Sequence, residues 1–435
     1  MLHRLPGGDR RRADLPAWSA RTFASLTNDN YRRFFVGQSL SLVGTWMQTV
    51  AQSWLVLQLT GSGTALGLVV AVQTLPVLLV SPYAGLIVDR VNKRHLLLAT
   101  QSALATQAVL LGVLTLTHTV RLWMVVVLAV GLGLANSVDN PARQAFVPEM
   151  VGASAVVNAV SLNSVMVNAA RAIGPAIAGL LIVTVGIGDC FLINAVSFVA
   201  VIIALSTMNP ARLQRTQPAE RGPGQILEGL HYVRRTPRLL IPLLMMALIG
   251  ALSYEFQVVL PVLAQRTFHG QADAYGFLTA AFGFGAVVGG LVVAGRRAPG
   301  LRAVVIAAGL FGLTLLGAAV APSMVVELAA LSLVGAASVA FMSRGNSLLQ
   351  LTAEDSMRGR VMALWAVALI GTTPIGGPVI GYIAQHASPR WGLAVGGLAA
   401  LLATSLAVHA RPHYPAPSKP ISSDAHDLPP GAGPT

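Results

Sequence analysis

The sequence predicts an all-α membrane protein of twelve transmembrane helices arranged as two pseudo-symmetric six-helix bundles, and three observations predict it. Hydrophobic residues make up 54% of the 435 positions and charged residues only 10%, whereas about a quarter of a soluble domain is charged. Apolar runs of about 20 residues, the length that crosses a bilayer, can be read at 34–59, 66–88, 96–117, 120–138, 155–185, 189–208, 239–263, 273–294, 301–319, 323–345, 357–385 and 390–410. The sequence also repeats itself: GLIV at 85–88 returns as GLVV at 290–293, and Gly174 and Gly179 return 202 positions later as Gly376 and Gly381, beside Pro378. Parallel repeats of this kind place a transport site between two halves near the midplane.

The net charge of +13 invites a nucleic-acid reading, but the positions decide against it. With the N-terminus placed inside, 25 of the 29 basic residues fall on one side, Arg121, Arg266 and Arg390 on the other, and Arg171 within the membrane. That asymmetry follows the positive-inside rule, so both termini are expected in the cytoplasm, with the basic charge meeting anionic lipid and not nucleic acid. Cys190 is the single cysteine, which excludes an intrachain disulfide.

In chain order, residues 1–27 are polar, expected to be mobile, and unlike a cleavable signal. The first bundle is expected over 28–208. Its first span carries Gln38, Gln48 and Gln52; amides at this depth need partners, so one face turns inward for packing or for substrate. Gln48, Gln52 and the nearby Trp46 are candidates for a substrate cavity. The second span ends in GLIVDRVNKRH. There Gly85 permits close packing, and Asp89 can accept from backbone donors of the next helix or pair with Arg90, Lys93 and Arg94. Asp139 and Arg143, four apart near the end of the fourth span, pair if the helix continues through Pro141; Asp139 is also a proton-coupling candidate.

The fifth span holds Asn158, Asn163 and Asn168 at intervals of five, Arg171 near mid-bilayer, then Gly174, Pro175 and Gly179. A guanidinium at that depth costs roughly 3 kcal/mol or more, so it faces protein or a watery cavity. Two jobs are open to Arg171: holding carbonyls freed by Pro175, or offering positive charge to an anionic substrate or to a carboxylate. Asn168 is a further cavity candidate. Residues 209–238, rich in proline, glycine and arginine, form a linker with an amphipathic surface helix over 225–235.

The second bundle is expected over 239–410. Glu255 lies deep in the seventh span with Pro261 beyond it, and an isolated carboxylate there is a candidate for loading and releasing a proton. Phe256, Met245, Met246, Phe282, Phe284, Trp54 and Trp365 are candidates for an apolar cavity, or for packing and lipid contact. Glu327, early in the tenth span, reads as interfacial, and Arg344 as a residue that snorkels to the basic rim. The tail 411–435 is proline-rich and polar, a composition expected to stay disordered.

Gly85, Asp89, Arg90, Lys93 and Arg94 resemble the signature loop between the second and third helices of the major facilitator superfamily. NPARQAFVPEMV at 140–151, the Gly174-Pro175…Gly179 element and EGLHYVRRTPRL at 228–239 resemble its exporter branch of siderophore exporters and macrolide or multidrug efflux pumps. The similarity covers roughly 28–410. The resemblance implies export by antiport, with Arg143, Gly174, Pro175 and Gly179 joining the 85–94 loop in conformational gating. One departure is that valines at 125–127 stand where many proton-coupled relatives carry an arginine before the paired glycines, here Gly131 and Gly133.

The function expected is therefore secondary transport of a small amphipathic molecule in the bacterial inner membrane by a monomer, with protons as coupling ion, Glu255 exchanging a proton for substrate and Arg171 setting the cavity potential. An importer or facilitator of a polar metabolite, or a non-transporting receptor, are the alternatives. The chain has no phosphate-cradling GxxxxGKS/T loop and no metal-spaced histidines, so no cofactor or enzymatic chemistry is expected.

Overall fold

The computed structural model describes residues 23–152, 155–214, 225–294, 300–354 and 356–410. The expected tails at 1–22 and 411–435, the linker stretch 215–224, and Arg296 and Arg297 lie outside the described residues. The chain is helical throughout the described residues. In order the helices are α1 (Asp29–Thr60), α2 (Gly63–Arg90), α3 (Lys93–Leu116), α4 (Leu122–Val151), α5 (Val156–Thr184), α6 (Ile187–Ser206), α7 (Gln225–Arg235), α8 (Pro237–Ser253) and α9 (Phe256–Arg266). They continue as α10 (Ala272–Ala294), α11 (Leu301–Ala319), α12 (Met324–Thr352), α13 (Arg358–Ile370), α14 (Thr373–His386) and α15 (Pro389–Ala410).

Short, well-signalled turns set the antiparallel order. Asn28 caps α1 by accepting from the N–H groups of Asn30 and Tyr31, and Gly61 ends it in the left-handed region at φ 60°, where glycine carries no Cβ penalty. Ser62 and Asn92 then cap α2 and α3 through the N–H groups of Ala65 and of Arg94 and His95.

Eleven helical units among the described residues are long and apolar enough to cross a membrane. The remaining membrane-length helix is α1, whose 32 residues are diluted by Gln38, Gln48, Gln52 and several hydroxyl side chains. Two expected spans prove to be broken. The seventh divides into α8 and α9 at Tyr254 and Glu255, where the Glu255 carbonyl restarts the ladder by accepting from Val258 and Val259. The eleventh divides into α13 and α14 at Gly371 and Thr372, two residues before Pro374, which lacks a backbone donor and disfavours helix just ahead of it. The fourth span is longer than expected, because α4 runs on through Pro141 and Pro148 to Val151.

The packing repeats with the sequence. In the first bundle α2 packs on α4, α3 on α6 and α4, and α1 on α6 and α5. Six spans later α10 packs on α12, α11 on α15 and α12, and α8 on α15 and α13. The halves meet along two seams that this symmetry exchanges, α5 against α10 and α2 against α14.

Both seams are backbone against backbone. A methyl placed at Gly276 would lie 2.6 Å from the Cα of Gly179 and 2.7 Å from the Pro175 carbonyl, and one at Gly63 would lie 3.1 Å from the carbonyl of Gly381. The repeated glycines thus do matching jobs. Gly174 admits α1 at Trp46 and Gly376 admits α8 at Ala251, while Gly179 admits α10 and Gly381 admits α2.

The amphipathic α7 forms as expected and packs on the second bundle. Arg360 of α13 pairs with Glu228 at 2.8 Å, the Glu354 N–H donates to the Tyr232 hydroxyl, and Val233 is buried.

Candidate transport site

The pocket is walled by the first bundle and is lined by amides. Gln48 and Gln52 on α1, Gln73 on α2, Asn136 on α4 and Asn194 on α6 reach it, and Gln257 on α9 is the one lining residue from the second bundle. The amides hold each other: Asn194 Nδ2 donates to Gln48 Oε1 at 2.7 Å, Gln48 Nε2 donates to Gln107 Oε1 at 2.9 Å, and Gln52 Nε2 donates to Gln73 Oε1 at 2.8 Å. Gln107 Nε2 is buried without a partner. Every side chain in this pocket is uncharged, so the wall offers hydrogen bonds without a fixed sign.

Two ionisable residues flank the pocket region on different seams. Arg171, on α5, stacks its guanidinium over the Trp46 ring at 5.1 Å from the centroid, and its Nε is buried with no hydrogen-bond partner. Glu255, at the α8–α9 break, is 4% exposed, with Oε1 unpartnered and the carboxyl beside Thr373. A methyl at Gly376 would lie 3.0 Å from Oε1 and one at Gly377 3.5 Å from Oε2. The Arg171 side chain therefore lies against α1 at Trp46, and the Glu255 carboxyl against α14 at Gly376 and Gly377.

The other expected site residues fall at identifiable places. Asp139 is fully buried and accepts from Thr100 Oγ1 at 2.8 Å, Gln101 Nε2 at 2.9 Å and Arg143 at 2.7 Å, three bonds closing around one carboxylate. Lys93 pairs with Glu149 at 2.6 Å, and Arg94 donates to the carbonyls of Leu205 and Ser206, tying the start of α3 to the ends of α4 and α6. Arg90 is exposed. The surroundings of Gly85 and Asp89 lie outside the described residues.

Asn168 turns its amide back to the Ser164 carbonyl of its own helix at 2.8 Å, and Asn158 accepts from the N–H and hydroxyl of Ser25. The regular asparagine spacing on α5 thus does not gather those side chains in the pocket. Phe256 packs on Phe282 with centroids 4.4 Å apart, Met245, Met246 and Trp365 are buried in the core, and Phe284 is 63% exposed on the outer surface.

Glu327 is a correction. The sequence places it at the interface, but it is 1% exposed, with Oε1 unpartnered; its neighbours Val325 and Val326 are exposed, so Glu327 is on the one side of the first turn of α12 that faces into the second bundle. Gln73, Asn194 and Gln257 are pocket residues that the sequence reading passes over, as it does Gln107, which holds Gln48 from behind. The available signal was an amide recurring in span after span, where an apolar residue costs less.

Two six-helix halves of repeated packing that meet along two exchanged seams, with a polar pocket beside them, are the architecture of a membrane transporter of the major facilitator type. The chain belongs to the transmembrane secretion effector family, whose model matches residues 20–430. Among curated proteins it is 27% identical over 340 residues to the staphyloferrin A transporter of Staphylococcus aureus, covering 76% of this chain and 84% of that one. It is 28% identical over 367 residues to the multidrug efflux pump Tap of Mycolicibacterium fortuitum, covering 79% and 88%. Among solved structures it resembles the nucleoside transporter NupG with a TM-score of 0.72 at 12% identity, covering 89% of this chain and all of that one. The protein is accordingly a multi-pass transporter of the bacterial inner membrane and not an enzyme.

Proposed function

We propose that the protein exports a small amphipathic molecule, a drug, siderophore or other secondary metabolite, by alternating access and as a proton antiporter. The observation that carries this reading is the amide-lined pocket of the first bundle, which Gln257 of the second bundle touches at its edge. Movement of the second bundle shifts Gln257 and so changes that edge. The relatives of matching length support the direction: one is named as a siderophore transporter and another as a drug efflux pump.

In this reading the halves, 28–208 and 239–410, rock about the site, with the linker 209–238 between them and both termini in the cytoplasm. The basic end is then the inner one. The outer end is held shut by Arg266, which donates to the carbonyls of Gly61 and Gln385 and to Gln385 Oε1, while the Gly63 N–H donates to that same amide oxygen. Glu255 is the proton carrier, because it lies without a basic partner, bonded only to Thr373, beside a seam that must part. Asp139, saturated with donors, holds α3 and α4 together, and the Lys93–Glu149 pair and Arg94 bind the inner ends of the first half.

The test uses purified protein in liposomes with an imposed pH gradient, recording internal pH as siderophores, macrolides and cationic dyes are added. Collapse of the gradient that depends on an added compound is the expected result. Movement of a compound with no proton flux in the opposite direction would sink the antiport reading.

A further inference from the structure

Arg171 sits near the middle of α5, where an uncompensated guanidinium costs roughly 3 kcal/mol or more. Three kinds of partner are available to it in principle. The first is the carbonyl that Pro175 frees, which is that of Arg171 itself, four residues back. That carbonyl faces α10, where a methyl at Gly283 would stand 2.8 Å from it, so the helix contact covers it and the guanidinium has no part in that. The second is a carboxylate. The nearby candidate, Glu255, faces Gly376 and Gly377 on the other seam, and the buried acids of the first half are taken by Lys93 and Arg143.

The third is a phenol. Tyr254 is near enough to interact electrostatically with Arg171, but the phenol is neutral, its hydroxyl donates to the Ser338 carbonyl at 3.1 Å, and no hydrogen bond among the described residues joins its oxygen to the guanidinium. What remains is the Trp46 ring under one face of the guanidinium, a contact that offsets about 2 kcal/mol when desolvated. It leaves the in-plane donors unused, and Nε is buried without an acceptor.

We propose that Arg171 and Trp46 form a subsite for a carboxylate on the transported molecule. This rests on the transport reading above and adds the chemical class of the cargo: an amphipathic organic acid. A guanidinium presents paired N–H donors in one plane, which matches the two oxygens of a carboxylate, and Trp46 beneath it extends a flat apolar ledge on which an aromatic or conjugated acid stacks. Trp46 also lies one helical turn before Thr49, which lines the amide pocket. The acid end is bound by the fixed charge, and the neutral hydrogen-bonding groups by Gln48, Gln52, Gln73 and Gln257.

The experiment compares coumarin-3-carboxylic acid with its ethyl ester, which keeps the ring system and the carbonyl but carries no charge and adds an apolar ethyl group. Binding to the full-length protein is read by fluorescence and by the shift in melting temperature, and flux is read in liposomes. Wild type is expected to bind the acid at least tenfold more tightly than the ester. Arg171→Gln is expected to remove that preference and Arg171→Lys to keep part of it. Equal binding of acid and ester by wild type, or a preference that survives Arg171→Gln, overturns the subsite.

Inorganic phosphate displacing the acid at equal concentration also overturns it, by showing a simple anion site. Should Arg171→Gln fail to give monodisperse protein, the wild-type acid-to-ester ratio still decides. The two readings fail differently. An acid preference without proton-driven flux of any probe removes the antiport reading and leaves the subsite, while intact flux without acid preference removes the subsite alone.

Discussion

The carboxylate of Glu255 lies against the bare backbone of Gly376, so close that the first atom of any side chain there would stand 3.0 Å from Oε1. The same glycine admits the Ala251 carbonyl of α8, so Gly376 holds the broken seventh span against the broken eleventh. Replacing Glu255 with Gln keeps the shape and removes the titration. Flux driven by a pH gradient is expected to fall by more than tenfold, with exchange of substrate across the membrane at equal pH retained. Counterflow of labelled substrate in liposomes separates the two, and gradient-driven flux at the wild-type rate in Glu255→Gln would remove Glu255 as the carrier.

Asp139 is expected to behave as a structural residue. Asp139→Ala leaves Arg143 without its buried partner and strands the donors of Thr100 and Gln101. Breaking a buried pair on one side costs about 3 to 5 kcal/mol. Thermal unfolding in detergent checks this: a large drop in melting temperature is expected for Asp139→Ala, and an unchanged one would contradict the assignment.

The amide chain predicts a non-additive result. Gln48→Leu leaves Asn194 Nδ2 and Gln107 Oε1 both unsatisfied, at about 1 to 3 kcal/mol each. Replacing Gln48, Gln107 and Asn194 together by apolar residues removes the orphaned groups as well. The triple variant is therefore expected to be more stable than the single one and to bind substrate more weakly, as measured by melting temperature and ligand titration on the same preparations.

Gly276→Val drives a branched side chain into the Cα of Gly179 and the Pro175 carbonyl, atoms that yield only if the seam opens. The variant is expected to expose the outer end. Because Cys190 is buried and is the single cysteine, a Thr64→Cys reporter on the α2–α14 seam reads this directly: labelling by a membrane-impermeant maleimide should rise several-fold when Gly276→Val is added. Unaltered labelling would show that the two seams do not move together.

Much of the architecture was legible because apolar length and the internal repeat are one-dimensional signals. The runs at 301–319 and 155–185 differ from α11 and α5 by at most a residue at each end. The breaks at 254–255 and 371–372 were not legible in the apolar pattern, which runs through them unchanged. The site was legible only as a set of suspects. Gln48 stands out as an amide in an apolar helix, but its partners Gln107 and Asn194 are 59 and 146 positions away, and no local pattern connects them. Arg171 is conspicuous by charge; that its neighbour is the Trp46 ring and not Glu255 depends on how two seams close.

The glycine seams bear on what keeps such a molecule closed. Where helices interlock through branched side chains, separation demands many coordinated rotamer changes. Here the meeting surfaces at Gly179 and Gly276, and at Gly63 and Gly381, are nearly smooth. In the alternating-access reading little there must unhook before one half slides from the other, so the polar ties at the rim, chiefly those of Arg266, are what hold the closed arrangement together.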